Sequence, residues 1–118
     1  MARGHSSLTT EFLRAERALR AQIRCRRPVV VYLRSGQDMG DDAGCSCLAI
    51  QARPLRQVVV ADISADMTAH EAIETLIHEY AHAAAWGRDR DPHGPEWGKA
   101  YSRCYRVVVY GKKRRKAK

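Results

Sequence analysis

The stretch from Thr68 to Gly87, "TAHEAIETLIHEYAHAAAWG", constrains the fold more than any other part of the chain. Thr68 followed by Glu71 fits a capping box, in which hydroxyl and carboxylate each satisfy an orphan backbone donor. Ile73, Leu76, Ile77, Tyr80 and Ala84 recur at helical spacing, and Gly87 offers a C-terminal stop. Each helical residue turns about 100°, so His78 and His82 stand about 40° apart, one turn above the other. Ile73, Leu76 and Tyr80 lie about 160–220° away by the same turn. The helix therefore buries one stripe and presents two imidazoles on another.

The remaining elements follow from periodicity and breakers. Leu8, Phe12, Ala15, Leu19 and Ile23 mark a helix over 7–24, which Pro28 forbids from continuing. Three β-branched or apolar runs read as strands: "VVVYL" (29–33), "CSCLAIQ" (45–51) and "QVVVADI" (57–63). "SGQDMGDDAG" is a turn-rich loop between the first two, and "ARPLR" joins the last two, with Pro54 at the break. Short connections of this kind predict antiparallel neighbours. After "RDRDPHG", Pro95 suits the first turn of a last helix, where Trp97, Tyr101, Cys104 and Val108 share a face and Gly111 ends the run. The expected fold class is α+β: N-terminal helix, three-stranded mainly antiparallel sheet, histidine-bearing helix, C-terminal helix. The 118 residues are expected to make one domain over 1–111, followed by a basic tail over 112–118 that is expected to be disordered.

Two imidazoles at i and i+4 can chelate one ion, and Glu79, displaced around the helix, can reach a water bound to it. This is the H-E-x-x-H arrangement of two metal ligands and one general base. A catalytic zinc needs a third protein ligand and an open position. His93 is the leading candidate, because a short loop after Gly87 lets the chain turn back. Glu96 is the rival, with Asp89 and Asp91 further candidates in the charged loop. His5 and His70 belong to no such pattern. Tyr101, Arg103 and Tyr105 on the last helix are candidate oxyanion donors. Glu71 and Glu74 lie near the histidine face but are left outside the site.

"HEYAH" followed by "HGPEW" resembles the SprT-like zinc metalloproteases, which include the Spartan proteases acting on DNA–protein crosslinks. "AGCSC" before the second strand is similar to the segment preceding a strand in that family. The resemblance covers most of the chain, and its specific part is the two-part metal motif. It implies a zincin-like fold, Zn²⁺ held by His78, His82 and His93, Glu79 as the catalytic base, and hydrolysis of protein or peptide substrates. The zinc-ribbon segment that follows the core in many SprT-like proteins does not follow here, where the sequence runs "GKKRRKAK", so a minimal core form is expected.

Composition adds a partner. The net charge is +8, from 21 Lys+Arg against 13 Asp+Glu, which favours a polyanion. The charge concentrates at Arg24, Arg26 and Arg27, and at Lys112, Lys113, Arg114 and Arg115, the candidate non-specific phosphate contacts. No apolar run is long enough to cross a membrane and no secretory h-region opens the chain, so a cytoplasmic location with no membrane partner is expected. Cys25, Cys45, Cys47 and Cys104 then read as thiols. Cys45 and Cys47 point the same way on a strand, and a Cys₄ zinc site is the competing reading. The leading function is a zinc endopeptidase. The alternatives are a basic DNA-binding module with a structural or vestigial metal site, and a hydrolase of non-peptide amides.

Overall fold

A computed structural model describes residues 2–34, 43–52 and 54–111, with side chains from Thr10 onward. The Lys112–Lys118 tail, most of the Ser35–Gly44 loop, and the side chains of His5 and Leu8 lie outside the described residues. The order of elements is α1 (Ala2–Gln22), β1 (Val29–Arg34), β2 (Gly44–Ala52), β3 (Leu55–Ser64), α2 (Ala69–Ala84) and α3 (Pro95–Val109). The chain is thus an α+β protein with three helices and one three-stranded sheet among its described residues.

The sheet order is β1-β3-β2. β2 and β3 form a tight hairpin, antiparallel from Gly44↔Ile63 to Ala52↔Leu55. β1 runs parallel to β3, from Val29↔Val59 to Arg34↔Ser64. The sheet is therefore mixed. β1 and β2 do run in opposite directions, as a short connection suggests, but they occupy opposite edges rather than pairing. β3 pairs with β2 on one side and with β1 on the other, which leaves β2 as an edge strand. The run "VVVA" before Asp62 suits this central place: Val58, Val59, Ala61 and Ile63 are all buried.

The helices cover the face carrying Val29, Val59 and Ile63. Phe12, Leu19, Leu76, Ile77 and Cys104 are almost fully enclosed there. Each of the larger apolar side chains contributes about 1.5–3 kcal/mol by leaving water. Four predicted positions of α1 are buried as expected: Phe12, Ala15, Leu19 and Ile23. Its far end is tied to β1 by Arg20 Nη1, which donates to the Val29 carbonyl at 2.9 Å. The capping box at the start of α2 is present in both directions, each bond 3.1 Å. On α3 the buried stripe is Ala100, Cys104 and Val107, while Trp97 and Tyr101 are only half-buried. The aromatic face of α3 thus lies at the margin of the core, where Trp97 packs on the histidines of α2. No described helix is long and apolar enough to cross a membrane.

Candidate metal centre

His78 and His82 project from successive turns of α2, and His93 reaches the same point from the loop before α3. Their Nε2 atoms converge: His78 to His82 is 3.2 Å and His78 to His93 is 3.3 Å. One ligand atom from each of the three lies within 4.8 Å of the others. A zinc ion with Zn–N bonds of about 2.0–2.1 Å in tetrahedral geometry separates its nitrogens by roughly 3.3–3.4 Å. The donor set and the two separations from His78 therefore fit such an ion. Burial, and then the neighbouring His78 and His93, push the His82 pKa down to about 4. A neutral ring is the form a metal requires.

Glu96 does not join this cluster. Its carboxylate pairs with Lys99 one helical turn on, at 3.5 Å. Asp89 and Asp91 serve the backbone. Asp89 accepts from the Glu96 N–H at 3.2 Å and the Trp97 N–H at 3.0 Å. Asp91 accepts from the His93 N–H at 3.0 Å. The N-cap position of α3 is Gly94, which has no side chain to cap with. Asp89 supplies that cap from five residues upstream. Gly94 is required by the close approach, since a Cβ there would stand 2.8 Å from Asp89 Cγ. Together these contacts hold the loop that delivers His93.

Trp97 forms a wall of the site. Its ring lies 5.1, 5.5 and 4.9 Å from those of His78, His82 and His93. Its indole N–H donates to the His78 carbonyl at 3.4 Å. Sequence reading placed Trp97 within a motif but assigned it no contact.

Glu79 is 5% exposed. Burial raises its pKa above the usual carboxylate range, opposed by the Ser46 hydrogen bond and by the charges of His78 and His93. Ser46 Oγ donates to Glu79 Oε1 in a short bond. Ser46 lies on β2, facing α2, and so does Gly44. A Cβ at Gly44 would fall 2.5 Å from Thr75 Cγ2 and 3.1 Å from Glu79 Oε2. The edge strand thus packs directly on the carboxylate. Neither residue was singled out from the sequence, although strand alternation next to Cys45 and Cys47 already sends Ser46 to the opposite face. A cavity of about 720 Å³ opens beside the centre, lined by Gly44, Thr75, His78, Glu79 and Tyr101 among others. Arg103 and Tyr105 are exposed and do not line it.

The other sequence candidates lie apart. Arg24 and Arg26 are exposed between α1 and β1, and Arg27 donates to Gln57 Oε1 at 3.2 Å. Lys112, Lys113, Arg114 and Arg115 fall outside the described residues. His70 pairs with Glu74 at 3.3 Å on the exposed side of α2. The four cysteines do not form one site. Cys25 and Cys104 belong to the helix-side core, while Cys45 and Cys47 sit opposite Asp62 and Val60 on the other face of the sheet.

The fold and the site define a class: an α+β chain with a trihistidine cluster able to hold a metal ion, two of its members on an H-E-x-x-H helix with the glutamate buried beside them. The chain belongs to the SprT-like family, whose sequence model matches residues 11–116. No curated protein and no solved structure gave a match.

Proposed function

We propose that the chain is a zinc-dependent endopeptidase. The observation that carries this reading is the convergence of three Nε2 atoms next to a buried carboxylate on the same helix. His78, His82 and His93 would hold Zn²⁺ as neutral imidazoles. Zinc, when bound, would polarise the peptide carbonyl and acidify water at its open position.

Glu79 is the general base. It takes the proton of the attacking water and returns it to the leaving amine. Burial raises its pKa, which suits a carboxylate that must take a proton as well as give it back. Ser46 fixes one carboxylate oxygen and leaves the other for the water. Tyr101, which lines the cavity with His78 and Glu79, is the candidate oxyanion donor. Among the described residues β2 is a sheet edge, with β3 as its neighbouring strand, and its Ser46 touches the base. An extended polypeptide can add to that edge through backbone hydrogen bonds, with weak side-chain selectivity.

The test joins metal content to cleavage. Glu79→Gln should keep its zinc and lose about 10²–10⁴-fold in cleavage of an unfolded protein substrate. His93→Ala should lose zinc affinity, and Glu96→Ala should keep it. Wild-type cleavage rates in Glu79→Gln would remove Glu79 as the base, and a zinc-loaded wild type that cleaves nothing would sink the enzyme reading and leave the basic binding module in its place. We further propose that Arg24, Arg26 and Arg27, with the Lys112–Arg115 run, bring DNA-bound proteins to the cleft through phosphate contacts. Equal cleavage with and without DNA across a salt series would remove DNA from the function.

A further inference from the structure

Strand alternation separates two sets of residues on β2. Gly44 and Ser46 face α2; Cys45 and Cys47 face away, opposite Asp62 and Val60, and both are exposed. The other two cysteines differ. Cys104 is enclosed and Cys25 half-buried, and burial pushes their thiols up to about 12 and about 11. Only the exposed pair combines access with proximity. Successive same-face residues of a strand have Cα atoms about 6.7 Å apart. That is the upper end of the range a disulfide spans, whose usual value is about 5.5–6 Å. Joining the two sulfurs therefore shortens the strand across one residue, and that residue is Ser46. β2 is an edge strand, so a single hydrogen-bonded ladder resists the distortion.

We propose that Cys45 and Cys47 are a dithiol modification site, oxidised by hydrogen peroxide to an intrachain disulfide that draws the Ser46 hydroxyl away from Glu79. One thiolate attacks a peroxide oxygen and releases hydroxide, giving a sulfenic acid. The second sulfur attacks the sulfenic sulfur and displaces the oxygen, which leaves as water. The net change is two thiols plus one peroxide to one disulfide plus two waters. Each sulfur is oxidised by one electron and the two peroxide oxygens are reduced. The Cys45 thiol donates to Asp62 Oδ2 at 3.9 Å, which holds its sulfur on the exposed face of the strand. A disulfide bent into an exposed strand is readily reduced, so the change is reversible by thiols. The consequence for catalysis rests on the peptidase reading; the disulfide and the strand distortion do not.

The experiment treats the zinc-loaded full chain with peroxide and maps disulfides by mass spectrometry without reduction. The expected product has lost two hydrogens within the segment holding Cys45 and Cys47, and dithiothreitol restores them. Cys45→Ser and Cys47→Ser should instead yield a sulfenic acid trapped by dimedone. Amide hydrogen exchange along Gly44–Ala52 should rise on oxidation in the wild type and stay level in the Cys45→Ser/Cys47→Ser double variant. Peptide cleavage by the oxidised wild type should fall about tenfold while the double variant keeps its rate under the same peroxide. A disulfide mapped to Cys25, to Cys104 or between two chains overturns the site. Unchanged exchange in β2 overturns the coupling to Ser46, whether or not the protein cleaves peptides. Equal loss of cleavage in the double variant overturns the regulatory consequence.

Discussion

Replacing Asp89 by alanine tests how the third imidazole is delivered. The Asp89 carboxylate accepts two backbone N–H groups at the start of α3, at 3.2 and 3.0 Å, where the N-cap glycine offers nothing. Losing a side-chain cap costs about 0.5–2 kcal/mol. Losing a negative charge at a helix N-terminus costs a further 0.3–1 kcal/mol or so. The sum centres near 2 kcal/mol, which for a domain of this size lowers the unfolding midpoint by roughly 10 °C. His93 sits two residues before Pro95, in the loop these bonds hold, so zinc affinity should fall as well. If the metal recovers the lost order on binding, each 1.4 kcal/mol spent appears as about a tenfold weaker affinity. Asp89→Asn keeps one carbonyl acceptor and should lose about half as much stability. The assays are thermal unfolding of the metal-free protein and zinc competition against a chelator. Asp89→Ala with an unfolding midpoint within about 2 °C of wild type and an equal zinc affinity would refute the capping argument.

Other outcomes follow from the same contacts. Gly44→Ala should destabilise by about 1–3 kcal/mol through overpacking on Thr75, and adding Thr75→Ser, which removes the clashing methyl, should recover part of the loss; urea midpoints measure both. The pH dependence of metal-free stability has a definite sign. His82 has a folded-state pKa of about 4 against an ordinary 6.5, so below pH 6.5 the unfolded chain takes up a proton that the folded chain refuses. Stability should therefore be full above pH 6.5, fall as pH drops towards 4, and fall less in His82→Gln, as urea unfolding across that range will read. Ser46→Ala removes the hydrogen bond that holds the Glu79 pKa down, so the acidic limb of the cleavage profile should move to higher pH; a limb left in place would separate Ser46 from the base.

Local order in the chain carried much of this protein. The capping box at Thr68 and Glu71 depends on interactions within a few residues and is present as read, and Leu76, Ile77, Tyr80 and Ala84 of the apolar stripe are buried, while Ile73 is half-buried and the helix ends at Ala84, before Gly87. The stacking of His78 over His82 follows from helical turn alone. Tertiary structure decided what depends on contacts distant in sequence. Strand order required knowing that β3 pairs on both edges, which no single strand's pattern reveals. The separation of His93 from Glu96 as candidate ligands depended on how the loop between α2 and α3 turns, and Asp89, Asp91 and Gly94 set that turn through bonds spanning up to eight residues. Ser46 reaches Glu79 across thirty-three positions, because the sheet edge lies against the helix. Periodicity is a property of neighbours along the chain, whereas a site assembled from a strand, a helix and a loop exists only once packing has brought them together.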